Sequence, residues 1–125
     1  MRTMIYLQYL MQIVAGLGIF NVWFLRFGQD TVYRGGNASN MREEFVVYGL
    51  PRVALYIVGL LKIVSAIGLI AGIFLPLLIA PSAILLAALM IGALVMHFKI
   101  RDPFKKSIPA LIMLTLCVAI LLLAS

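Results

Sequence analysis

Inside a membrane-like environment, two side chains of this chain could do chemistry: Lys62 and His97. Lys62 interrupts the apolar run 51–74, about 16 Å along a helix from Pro51 and so close to a bilayer midplane. An ionisable group at that depth is costly and marks either a function or a buried partner. Its functional reading is a hydrogen-bond donor, or a counter-charge, for a bound anion, quinone or lipid headgroup. Its structural reading is an ammonium bonded to helix carbonyls or to Gln8, Gln12 or Asn21. His97 closes another apolar run beside a basic loop, where it could relay protons or simply favour the negative end of a helix dipole. The carboxylates Asp30, Glu43, Glu44 and Asp102 all fall in connecting segments, outside the apolar cores. There is no paired acid for glycoside chemistry, no histidine cluster for a metal, and no Ser–His–Asp order. Cys117 is the single cysteine, which excludes an internal disulfide, a CxxC redox pair and a thiolate metal site. A self-sufficient hydrolase or metalloenzyme is therefore not expected.

The elements that must position these groups follow from composition. Of 125 residues, 65% are hydrophobic and 11% charged, against about 45–50% and 25% in soluble domains. The apolar residues come in long blocks, which predicts an all-α membrane protein: a four-helix transmembrane bundle with a polar first loop, one domain over 1–125. Helices are predicted at 4–25, 51–74, 77–98 and 108–124, the last short enough to draw on 103–107. Within the polar loop, Ser39 or Asn40 is placed to cap a short helix from Met41, with Glu43 and Glu44 in its first turn. Leu75-Pro76-Leu77 is too short a link for anything but antiparallel neighbours. The alanine- and glycine-rich segment 77–98 is expected at the centre of the bundle.

Polar and small residues divide the helix faces. Gln8 and Gln12 share a face of the first helix, and Asn21 points the other way. Gly59, Lys62, Ser65, Ala66 and Leu69 form one stripe of the second, while Gly68 and Gly72 offer a second close-packing surface. Gly16-Leu17-Gly18 looks like the start of a dinucleotide fingerprint, but no strand precedes it, and close helix packing is the better reading. Tyr6, Tyr9, Trp23 and Tyr33 fit as interfacial anchors. The net charge of +6 sits in the loops, so it reads as a topology signal and a contact with lipid headgroups, with no nucleic-acid partner. Arg26, Arg34, Arg42, Arg52, Lys99, Arg101, Lys105 and Lys106 all lie between the first and second or the third and fourth helices. The positive-inside rule then puts 26–52 and 99–107 in the cytoplasm and both termini outside, in what is taken to be a bacterial plasma membrane.

Several stretches together resemble the DoxX-like membrane family: 20–28 (FNVWFLRFG), 48–51 (YGLP), 59–62 (GLLK) with Ala66, and 90–93 (MIGA) followed by His97. The resemblance implies a four-helix membrane bundle and carries Asn21, Tyr48, Pro51, Gly59, Lys62, Gly92 and His97 over as family-like positions. It implies no single activity, since the family includes a quinone-linked oxidoreductase subunit, a membrane partner of thiol-redox enzymes and a chaperone for receptor assembly. Residues and resemblance together nominate Lys62, Asn21, Gln12, Tyr48, Ser65 and His97 as ligand-binding, with no catalytic residue assigned. The expectation is a membrane component of a redox pathway that holds a quinone or other hydrophobic small molecule near Lys62. With no cysteine pair in the chain, a redox protein partner or the quinone itself would supply the electron chemistry. The alternative is a non-enzymatic assembly or interaction protein, a homodimer through its small-residue faces; a solute transporter ranks below both for want of repeats or broken helices.

Overall fold

The structure is a computed structural model that describes residues 2–28 and 33–125, with side chains from Met4 onward; Gln29 and Asp30 lie outside the described residues. Among the described residues there are five α-helices: α1 (Arg2–Phe20), α2 (Met41–Val47), α3 (Arg52–Ala71), α4 (Ile79–Lys99) and α5 (Ile108–Ala124). Four stretches of the described residues are long and apolar enough to cross a membrane: Met4–Leu25, Arg52–Ala71, Pro76–Lys99 and Phe104–Ala124. The fourth reaches that length because a 3₁₀ turn, Phe104–Ser107, leads directly into α5. α2 begins where its sequence says it should: Asn40 Oδ1 accepts from Glu43 N–H at 2.9 Å, and the Glu43 carboxylate takes Ser39 N–H at 2.8 Å.

The long helices form a ring. α1 packs on α3 and α5, and α4 packs on the same two, so α1 and α4 face each other across a diagonal. The expectation that 77–98 would be central is thus corrected: α4 takes one corner. Its small residues do not all serve packing, since a Cβ added at Gly92 would meet nothing within 4 Å. Close packing falls instead at Gly16, whose Cβ would meet Ile70 Cδ1 at 2.7 Å, and at Gly72, against Ile79 Cγ1 at 2.7 Å. Gly68 abuts the Ser82 side chain.

The bundle has two unlike halves. Away from the loops, Leu69, Leu86, Ile120 and Cys117 are fully buried. Gln8 Nε2 donates to Gln12 Oε1 at 2.9 Å, and Gln12 Nε2 donates to the Leu69 carbonyl at 2.6 Å. Leu69 lies in the last turn of α3, where carbonyls lack partners within the helix. Gln12 therefore caps α3 from the neighbouring helix, which explains a buried amide in an apolar core. The other half, under the loops, is hollow.

Candidate functional site

α1 ends in a π turn, Asn21–Leu25, closed by Arg26 N–H donating to Asn21 C=O at 2.9 Å. The extra residue in the turn rotates the side chains beyond it away from their α-helical positions. Trp23, expected at the membrane interface, is turned inward instead and is 8% exposed. Its ring packs against Gly59, where a Cβ would sit 2.6 Å from Trp23 Cζ3.

Lys62 reaches the same ring. Side chains lean toward the N-terminus of their helix, which for α3 is the loop end. Lys62 Nζ stands 5.4 Å from the Trp23 ring centroid, a cation–π arrangement. The ammonium makes no hydrogen bond or ion pair among the described residues. Of the partners considered for Lys62, Gln8 and Gln12 are committed to each other and to Leu69, and on its own helix Ser65 Oγ donates to the Leu61 carbonyl at 2.8 Å. The Trp23 indole N–H is also buried without an acceptor among the described residues.

Above this pair, two helix ends turn back on the bundle. α2 closes with Gly49 N–H on Val46 C=O and Leu50 N–H on Phe45 C=O, and Gly49 has φ 77°. α4 closes in the same way, with Arg101 N–H on Phe98 C=O and Asp102 N–H on His97 C=O at 3.0 Å each. Both are Schellman motifs, which need a left-handed residue after the cap. In α4 that residue is Arg101, φ 55°. The first reversal leaves Tyr48 at the cap of α2, and the second folds Asp102 back onto His97.

The result is a string of polar groups. Asp102 Oδ2 lies 2.7 Å from His97 Nδ1, and Asp102 Oδ1 accepts Gly36 N–H at 2.9 Å, with Lys106 Nζ 3.8 Å away. Lys106 also donates to the Gly36 carbonyl, and Lys99 Nζ to the Tyr48 carbonyl at 3.0 Å. The Tyr48 hydroxyl stands 3.4 Å from His97 Nε2 and donates to Glu44 Oε1 at 2.5 Å. Glu44 Oε2 pairs with Arg34 at 3.1 Å, and Arg34 in turn donates to the Arg26 and Phe27 carbonyls at 2.5 and 3.3 Å. Burial, and then the Glu44 carboxylate, push the Tyr48 phenol well above its ordinary range, so it stays a neutral donor. An ionised Asp102 can only accept, so Nδ1 carries a proton and Nε2 is left facing Tyr48.

Glu44, Tyr48, His97 and Arg34 line the upper wall of a cavity of about 740 Å³, with Lys62 and Trp23 on its side. Below them the walls are apolar or small, including Gly18, Val58, Met90, Gly92, Ala110 and Met113. The space exists because α1, α4 and α5 present small residues where large ones would fill the diagonal. A mostly apolar pocket with a few convergent polar groups suits an amphipathic small molecule. Of the nominated residues, the fold brings Asn21, Lys62, Tyr48 and His97 to this cavity. Gln12 and Ser65 are absent from its lining, because their polar atoms are spent on helix carbonyls farther down. Arg34, Glu44 and Trp23 were not nominated, nor was Asp102, which acts from behind His97. The available signals were the Glu44–Tyr48 spacing of one helical turn, and Asp102 five residues beyond His97 across a helix end.

These features define a small integral membrane protein, a four-helix bundle whose loop-side half encloses a polar-capped cavity. The chain belongs to the DoxX-like family, whose profile matches residues 17–120 and so takes in the whole cavity lining. No curated protein and no solved structure matches it.

Proposed function

We propose that this protein is the membrane component of a redox pathway and binds a quinone in the cavity beneath its basic loops. The reading is carried by one observation: Lys62 Nζ and the Trp23 indole N–H stand at a largely apolar part of the cavity with no hydrogen-bond acceptor among the described residues. Two donors without acceptors leave a desolvation cost that a ligand oxygen would remove. A quinone has acceptor oxygens on a flat apolar ring and an apolar tail, and about 740 Å³ is within the size of small-molecule sites. Lys62 and Trp23 would hold the ring, with Tyr48, His97 and Asn21 completing the polar wall. When bound, the quinone would supply two-electron chemistry that the chain itself lacks. The electrons would come from a redox protein docking on the loop face.

Mass spectrometry of the protein in native nanodiscs, with lipid extraction in parallel, tests the reading. A stoichiometric quinone, lost in Lys62→Met, is the expected result. An empty protein, or a different bound lipid retained in Lys62→Met, overturns it. The assembly reading gains no specific support: the small-residue faces that suggested a homodimer are used inside the chain at Gly16, Gly68 and Gly72. In a bacterial plasma membrane the charge distribution favours loops 26–52 and 99–107 in the cytoplasm and both termini outside.

A further inference from the structure

The string His97–Tyr48–Glu44 has one feature that ligand binding alone does not require. Tyr48 carries a single hydroxyl proton between two groups that both accept: Glu44 Oε1 at 2.5 Å and His97 Nε2 at 3.4 Å. Each arrangement that satisfies all three groups contains one extra proton. Either Nε2 is protonated and donates to the Tyr48 oxygen, while Tyr48 donates to an ionised Glu44; or Glu44 is protonated and donates to Tyr48, while Tyr48 donates to a bare Nε2.

We propose that His97, Tyr48 and Glu44 share one mobile proton, which passes through the Tyr48 hydroxyl and is presented at Glu44 to the molecule held in the cavity. The step balances without an oxidant. The Nε2–H bond breaks as an O–H bond forms on Tyr48; the former Tyr48 O–H bond breaks as one forms on Glu44. Charge moves from imidazolium and carboxylate to two neutral groups, and no electron is exchanged. The ligand class is correspondingly narrowed to one with an oxygen that gains a proton when the molecule is reduced, as a quinone carbonyl does. That recipient rests on the reading given under Proposed function; the shared proton does not.

The surroundings hold the string in register from every side. Asp102 fixes Nδ1–H and is itself held by Gly36 N–H and Lys106. Lys99 holds the Tyr48 carbonyl, and Gly35 leaves room for the Tyr48 ring, which a Cβ would approach to 2.6 Å. Arg34 and Lys62 supply the positive charges facing Glu44. All three members of the string line the cavity; Glu44 is the end at which the proton is presented, and His97 delivers it through Tyr48.

The test uses the fact that this chain has one histidine. ¹⁵N NMR of histidine-labelled protein in nanodiscs reports both ring nitrogens of His97, and infrared spectroscopy reports the protonated carboxyl of Glu44. Near neutral pH, Nδ1 is expected to stay protonated while Nε2 averages between its protonated and bare positions. A protonated-carboxyl band accompanies it and vanishes in Glu44→Gln. In both Tyr48→Phe and Glu44→Gln the averaging stops and Nε2 takes a single state. A wild-type Nε2 in one state without that band overturns the proposal, as does averaging that persists in both variants, since the proton would then exchange with solvent. Decylubiquinone is added to the same samples. Loss or shift of the carboxyl band on its addition is the expected result. A shared proton with a band indifferent to the quinone leaves the relay standing and removes its recipient, which is a failure of the binding reading alone.

Discussion

At the scale of single residues, the fold buries one pair of opposite charges against each other. Arg34 and Glu44 are both largely buried, at 5% and 12% side-chain exposure. Removing one partner of such a pair strands the other, at a cost of about 3–5 kcal/mol. Arg34→Met is therefore expected to lower stability by an amount in that range, measured by thermal unfolding in detergent, whereas Arg52→Met, exposed at the start of α3, should change little. Tyr48 gives a pH signature. Its folded-state phenol is held above the ordinary value of about 10, by burial first and then by Glu44. Below that value both states keep the proton and pH has no leverage through this group. Above it the unfolded chain ionises and the folded one does not, so stability falls by about 1.4 kcal/mol per pH unit. Melting curves between about pH 9 and 11 should show a steeper loss in wild type than in Tyr48→Phe, whatever the difference in their absolute midpoints.

At the scale of elements, function is built from helix ends. The caps of α2 and α4 bring Tyr48, His97 and Asp102 together, and one of them does so with a non-glycine residue in left-handed backbone. That conformation costs an L-residue about 1 kcal/mol or more, and glycine much less. Arg101→Gly is expected to raise stability by roughly 1 kcal/mol while leaving the His97 ring signals unchanged; a fall in stability would show that the arginine side chain holds the turn. The same ends explain what could be read in advance. The four spans, the Asn40 cap with Glu43, and the Gly16 contact were legible because each depends on local pattern or on the size of one side chain. Trp23 was not: whether an aromatic faces lipid or the interior depends on a π turn that no spacing announces. The partnership of His97 with Asp102 was hidden for a similar reason. A carboxylate in a loop joins a site only if the chain reverses there, and Arg101 gives no glycine signal for the reversal. Gln12 was read correctly as needing a partner, but the partner is a helix-end carbonyl, which sequence does not locate.

At the scale of the whole molecule, the bundle separates support from site. The half away from the loops is packed solid around Leu69, Leu86 and Ile120, and the half beneath the loops is left open by small residues on α1, α4 and α5. Basic residues crowd the open end, which gives the orientation a direct test: in a Cys117→Ala background, a cysteine at Lys105 should react with an impermeant maleimide only in inside-out vesicles, and one at Ser125 only in right-side-out cells. The central claim is that the cavity takes a quinone against Lys62. Trp23 is the only tryptophan in the chain and lines that cavity, so its fluorescence reads occupancy without a label. Titration of the nanodisc-embedded protein with decylubiquinone should quench Trp23 saturably. Lys62→Met should weaken the apparent Kd by about tenfold, the equivalent of one charge-assisted hydrogen bond of roughly 1.5 kcal/mol. Quenching that never saturates, or that is the same in Lys62→Met, would mean that the quinone merely partitions into the bilayer, and would contradict that claim.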